Sequence, residues 1–248
     1  MGKDRKERVD IHNSDVPVLC RSCEARHQGV CAVLAPDQLQ RLSRQSTKSV
    51  HAPKSDLHTQ LTSQERYANV LSGVVKLTKT ARDGRQQIVG LQFAPDFLGR
   101  DQSPGSDTEA TASTNVRLCS FPASALDELV AETPELERRI HQQTVAELDE
   151  ARDWLFALGR KTAPEKVASF LLLIATHANP DRDEEEGFEL ELPLKRAEMA
   201  DFLGLTIETV SRQMTNLRSR GVIDVIDRGR IQVESLAVLR SEAHVDAG

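Results

Sequence analysis

Cysteine is scarce in this 248-residue chain, four residues in all, and glycine is missing between Val30 and Ser72. No apolar run, Phe170–Ala175 included, exceeds six residues, far short of the ~20 residues that span a bilayer. Met1–Asp10 is charged and lacks the apolar core of an export signal. Internal repeats and a low-complexity tail are also missing. So are a Ser/His/Asp set, a Walker loop and a GxGxxG fingerprint, which removes the usual signatures of hydrolases, nucleotide hydrolases and dehydrogenases. The expectation is a soluble, cytoplasmic protein that is not an enzyme and has no membrane partner. Hydrophobic residues make up 39%, enough for real cores, and the length suits two domains plus a connector.

The net charge of −6 is unevenly spread. Lys195–Arg230 holds seven basic residues against five acidic ones, so this segment is +2 and the remainder −8. Phosphate contacts depend on the local field rather than the sum over a chain.

Residues 1–35 read as a polar arm carrying three of the cysteines. Residues 36–125 read as a sensor domain of short antiparallel strands, a small barrel or jelly roll. Val70–Leu77 and Ile88–Phe93 are strand-like and are joined across an Asp83-Gly84 hairpin signal. Val116–Phe121 is another strand, with Val116, Leu118 and Ser120 on one face and Arg117, Cys119 and Phe121 on the other. The period then changes. Helix is expected from Ala123, with Pro134 opening a fresh one. Leu148, Ala151, Leu155 and Leu158 alternate by three and four, the spacing of a dimer seam over residues 126–160. His141 and Thr144 continue it upstream, and Gly159 reads as a hinge. Residues 161–240 form a second compact unit: helix Ala163–Ala178, an acidic loop, an edge strand Phe188–Leu192, two helices and a small hairpin. Residues 241–248 are a tail.

The strongest local motif is Arg196–Leu217. Ala200 and Leu203 bury a first helix, Gly204 makes a tight turn, and Leu205, Val210 and Leu217 anchor a second. That leaves Thr206, Ile207, Glu208, Ser211, Arg212 and Thr215 for solvent, near a helix N-terminus of the kind that docks in the major groove. Arg212 can pair with guanine O6 and N7, Glu208 can accept from cytosine N4, and Ile207 can meet a thymine methyl. Thr206 and Thr209 suit capping or phosphate contact. Arg228 and Arg230 lie on the following hairpin, as on the wing of a winged helix. A plain helical hairpin with a Glu208–Arg212 pair is the structural alternative.

Cys20, Cys23 and Cys31 form C-x2-C-x7-C, and Cys119 follows after 87 residues. In a reducing compartment such cysteines are ligands or redox groups rather than disulfides. Four thiolates suit an iron–sulfur cluster or zinc. Zinc sites usually pair two C-x2-C units, and the second is absent here. His12 and His27 are further candidate ligands, although an exposed loop position suits each better.

The chain resembles the CRP/FNR superfamily of bacterial transcription regulators, most closely its oxygen-sensing FNR branch. Leu205–Arg212, the cysteine quartet and Gly73–Leu77 carry the resemblance, which covers residues 18–236. It implies an α+β architecture: an N-terminal antiparallel β-roll (jelly roll), a long dimerisation helix and a C-terminal winged helix-turn-helix. It also implies a homodimeric activator that binds double-stranded DNA at a TTGAT-N4-ATCAA palindrome and works with RNA polymerase. Specificity positions fall on Ile207, Glu208, Ser211 and Arg212. A [4Fe-4S] cluster on the four cysteines would favour the DNA-binding dimer without oxygen. Zinc or thiol oxidation on the same scaffold is the alternative.

Three departures from the family pattern stand out. The glycine-free stretch, especially residues 48–66, leaves the strand geometry there open. In FNR-type dimer helices an acidic residue near the seam makes dimerisation conditional on the cluster, and Ala151 occupies that position. In the cyclic-nucleotide branch an arginine and small residues hold a phosphate. Here Glu109 stands in the comparable stretch Gly99–Ala112, so no cyclic nucleotide is expected and Arg100 reads as a surface residue.

Overall fold

The computed structural model describes residues 16–21, 23–99 and 108–244. Arg100, His12 and the last four residues lie outside them. Two compact units emerge. One holds the described chain up to Thr78 together with Leu91–Leu148, and the other holds Lys79–Gly90 with the chain from Asp149 onward. Among the described residues no helix is long and apolar enough to cross a membrane.

The first unit begins with a 3-10 turn at Val18–Cys20, helix α1 (Glu24–His27), a second 3-10 turn at Val30–Val33 and helix α2 (Pro36–Gln45). The expectation of strands from Pro36 fails here. Pro36 sits in the first turn, where its missing N–H costs nothing, Gln38 caps the Ala35 amide at 2.9 Å, and Leu39 and Leu42 bury one face. Strand β1 (Thr47–His51) and helix α3 (His58–Thr62) follow, then β2 (Arg66–Ser72), β3 (Val75–Thr80), β4 (Gln86–Gln92), β5 (Phe97–Leu98), β6 (Thr108–Ala112) and β7 (Val116–Pro122). The strands form sheets ordered β1-β7-β2-β5 and β4-β3-β6.

Val70–Leu77 is therefore not one strand. Gly73 turns with φ +87°, and a Cβ there would stand 2.3 Å from the Asn115 carbonyl oxygen. The run splits into β2 and β3, which belong to different sheets. The glycine-free stretch solves its turns otherwise. Lys54 and Glu65 take left-handed φ values of 74° and 47°. Each is pinned by backbone hydrogen bonds, Lys54 N–H to Ala112 O at 2.7 Å and Ala123 N–H to Glu65 O at 2.8 Å.

Strand β7 is covered on both faces. Val116 and Leu118 point into the β-roll core with Val70, Val75 and Leu57. Phe121 is fully buried on the opposite side, in a second core with Val30, Cys31, Leu39, Leu42 and Phe97. Only Arg117 of its predicted outer face is exposed. Helix α4 (Ala123–Glu132) supplies Leu126 and Leu129 to the same core, and helix α5 (Pro134–Arg160) supplies Leu136. Gly159 lies inside the last turn of α5 rather than beyond it.

The second unit contains helix α6 (Ala163–Ala178), β8 (Phe188–Glu191), α7 (Arg196–Leu203), α8 (Ile207–Ser219), β9 (Ile223–Val225), β10 (Arg230–Val233) and α9 (Leu236–Glu242). Its three strands are ordered β8-β10-β9, so β8 is an edge as expected. Phe202 anchors the core, with Trp154 edge-on at 4.6 Å and Phe170 at 5.8 Å between ring centres. Within this unit, Gln87 of its Lys79–Gly90 segment donates from Nε2 to the Asp201 carbonyl at 2.8 Å, near the end of α7. The sequence reading lacked α9, whose Leu236 and Leu239 are buried behind a Ser235 cap.

Candidate functional site

The four cysteines reach one pocket from two directions. Cys20 ends the first 3-10 turn, Cys23 precedes α1, and Cys31 lies in the second 3-10 turn. Cys119 faces the same space from β7, because strand alternation puts it on the side of Phe121 rather than of Leu118. All four line one pocket together with Arg26, Ser46, Asn69 and Phe121. None is in a disulfide. Among the described residues, no three His, Cys, Asp or Glu side chains gather tightly enough to hold one metal ion. His27 does not line it, and His12 lies outside the described residues.

The electrostatics of this pocket oppose free thiolates. Burial, then the neighbouring sulfurs Cys23 and Cys119, push the Cys20 thiol up to about 11. Burial raises Cys31 further still, helped by Cys23, Cys119 and Cys20, while a hydrogen bond from Asn69 opposes the rise. Cys119 is raised by burial and by Cys23, against Ser46, Lys48 and Arg66. Sulfur ligands bind metals as thiolates, so a cationic group bound here would have to replace these protons and offset the repulsion among the sulfurs. Four cysteine sulfurs on one pocket are a donor set that suits a metal–sulfur centre.

Sequence reasoning found the sulfurs and missed their polar neighbours. Lys48 and Asn69 pair with Cys119 from the strands on either side, and the Asn69 amide donates to Cys31 Sγ at 3.6 Å. An asparagine inside the apolar stretch Tyr67–Leu71 of β2 was the available signal.

The second assembly is the pair α7 and α8. Gly204 ends α7 with φ +61°, a left-handed turn that glycine adopts without strain. Thr206 caps α8 by accepting from the Thr209 amide at 3.2 Å. Val210, Met214 and Leu217 are buried, while Thr206, Ile207, Glu208, Ser211, Arg212 and Thr215 are exposed and Thr209 is half-buried. Met214 was missing from the predicted anchors, although it completes their spacing, four residues after Val210 and three before Leu217. Arg212 Nη2 reaches Thr209 Oγ1 at 3.5 Å. On the hairpin, Arg230 is held by Asp227 at 2.8 Å, so Arg228 is the wing cation without that tether.

Along α5, Leu148 is 48% and Leu155 70% exposed, Ala151 is exposed and Leu158 half-buried. Val145 and Phe156 are exposed beside them. The β-roll holds a further pocket lined by His58, Leu61, Gln92, Thr108 and Glu147 among others. Glu109 does not line it. Strand alternation sends Thr108 and Ala110 inward and Glu109 out to solvent, so among the described residues the carboxylate lining this pocket is Glu147.

Residues 165–242 match the Crp-like helix-turn-helix domain, and residues 52–133 match the cyclic nucleotide-binding domain. A probable transcriptional activator of Rhizobium leguminosarum bv. viciae is 51% identical over 88% of this chain and 90% of its own length. The transcriptional activator protein FnrL of Cereibacter sphaeroides is 38% identical, covering 94% of this chain and 96% of itself. The solved structure of FixK2 from Bradyrhizobium japonicum superposes with a TM-score of 0.69 at 26% identity, over 82% of this chain and 98% of that one. With a β-roll before a helix-turn-helix and activators as relatives along almost its whole length, the chain belongs to the CRP/FNR family of DNA-binding transcription regulators.

Proposed function

We propose that this regulator is switched by oxygen through a [4Fe-4S] cluster held by Cys20, Cys23, Cys31 and Cys119. The observation that carries the reading is the single pocket onto which an arm trio and a β7 thiol all open. Zinc bound by four thiolates at about 2.3 Å draws its sulfurs to within about 3.8 Å of one another. A cluster spreads its ligands over separate iron atoms and is the alternative to zinc for four sulfurs that line one pocket. When bound, the cluster supplies an oxygen-labile crosslink between the arm and the sheet.

The chain's own residues turn that crosslink into a switch. With the arm held, α2 and Phe121 keep the core beside α4 and the start of α5 packed. Leu148, Ala151, Leu155 and Leu158 then form the seam with a second copy. The dimer presents two α8 helices one DNA turn apart, about 34–36 Å, to a TTGAT-N4-ATCAA-type operator, where the regulator activates RNA polymerase. Thr206 and Thr209 contact phosphate. Ile207, Glu208, Ser211 and Arg212 read base edges. Coupling of this kind needs only that the cluster favour one of two states. No cyclic nucleotide is expected as effector: Glu147 lines the β-roll cavity, and no lysine or arginine does among the described residues.

The test is operator binding by protein purified without oxygen, before and after air. Tight binding that collapses in air supports the reading. Equal binding under both atmospheres overturns it.

A further inference from the structure

Asn69 is 1% exposed, the most buried polar side chain among the described residues. It stands mid-strand in β2 between Ala68 and Val70, both fully buried. Asparagine is disfavoured there, and its carbonyl oxygen Oδ1 is buried with no hydrogen-bond partner. Packing alone would favour leucine. The amide N–H, by contrast, is engaged. It donates to Cys31 Sγ at 3.6 Å, and the strand register sets Asn69 opposite Cys119. Cys31 is only 8% exposed, so water cannot readily supply the donor that an electron-rich sulfur needs.

We propose that Asn69 is a positioning residue of the thiolate centre, whose amide N–H holds Cys31 Sγ and draws charge from it, prolonging the life of the bound cluster in air. The proposal rests on the cluster assignment above. Hydrogen bonds to ligand sulfurs set the potentials of such clusters and orient their ligands. A donor at Cys31 leaves less electron density for the metal and makes the centre harder to oxidise.

The experiment compares wild type with Asn69→Leu, which keeps the volume and loses the donor. Asn69→Ala serves the same comparison if the leucine variant misfolds. Prepared without oxygen, the variant takes up the wild-type amount of iron. In air its visible absorption then decays about tenfold faster, and its reduction potential is lower. Its iron-free form melts no lower than wild type, because an unsatisfied carbonyl has been removed. An iron-replete variant with wild-type lifetime and potential overturns the proposal. So does a variant whose iron-free form melts markedly lower, with a lifetime that falls only in step, since the role is then structural. Iron-free wild type under anoxia is a different result, because it removes the cluster assignment itself.

Discussion

Cys31 and Cys119 are separated by 87 residues of sequence, yet they open onto the same pocket. Cys31 belongs to the arm and Cys119 to a strand that is walled by the β-roll core on its other face. Anything bound to both sulfurs fastens the arm to the sheet. Removing Cys119 therefore tests the fastening without touching the trio. Cys119→Ala is expected to lose its visible absorption and most of its iron, and to bind the operator weakly with or without air. Wild-type iron content in this variant, measured by metal analysis, would contradict the four-ligand assignment.

Ala151 lies on the exposed stripe of α5 between Leu148 and Leu155. An aspartate there would meet its own copy across a two-fold seam, with like charges in a packed apolar strip. Wild-type apoprotein should thus retain dimer in sedimentation velocity runs at concentrations where Ala151→Asp apoprotein is monomeric. Wholly monomeric wild-type apoprotein would show that the seam is misplaced.

Arg212 is exposed on the first turns of α8. Arg212→Ala should cost about 1–3 kcal/mol at the operator and relax preference at one base pair, as loss of a bidentate guanine contact does. Competition binding against single-base operator variants reads this out. A uniform loss across all sequences would instead make Arg212 a phosphate contact.

Lys54 and Glu65 hold left-handed φ values without being glycine. Left-handed backbone costs a side-chain-bearing residue about 1–2 kcal/mol, offset partly by glycine's larger entropy loss on folding. Lys54→Gly and Glu65→Gly should each raise unfolding stability by about 0.5–1 kcal/mol in denaturant titrations. Gly73→Ala should lower it by more than about 2 kcal/mol, because its Cβ would collide with the Asn115 carbonyl.

These turns also mark where the sequence ran out of information. The helix-turn-helix was legible because its signals are local: a 3–4 apolar spacing, one glycine and one threonine cap within 22 residues. The hairpin at Gly84 and the edge strand β8 were legible for the same reason. Strand β7 was half legible. Alternation separated Leu118 from Cys119 but could not show that α2 and α4 cover the second face. Helix α2 was hidden by the expectation of a continuous β-roll, although Pro36 and the Leu39–Leu42 spacing announced it. The split at Gly73 needed knowledge of Asn115, far along the chain. Glu109 was misassigned because the sequence does not say which face of β6 turns inward. Asn69 needed the β2–β7 register before its amide could be placed beside a sulfur.

The most direct test of the central claim is an iron and acid-labile sulfide count on protein purified under strict anoxia, read together with its absorption spectrum. The account predicts brown protein with four iron and four sulfide per subunit, a [4Fe-4S] cube on four thiolates. Colourless protein with one zinc per subunit and no sulfide, still gripping its operator, would contradict it.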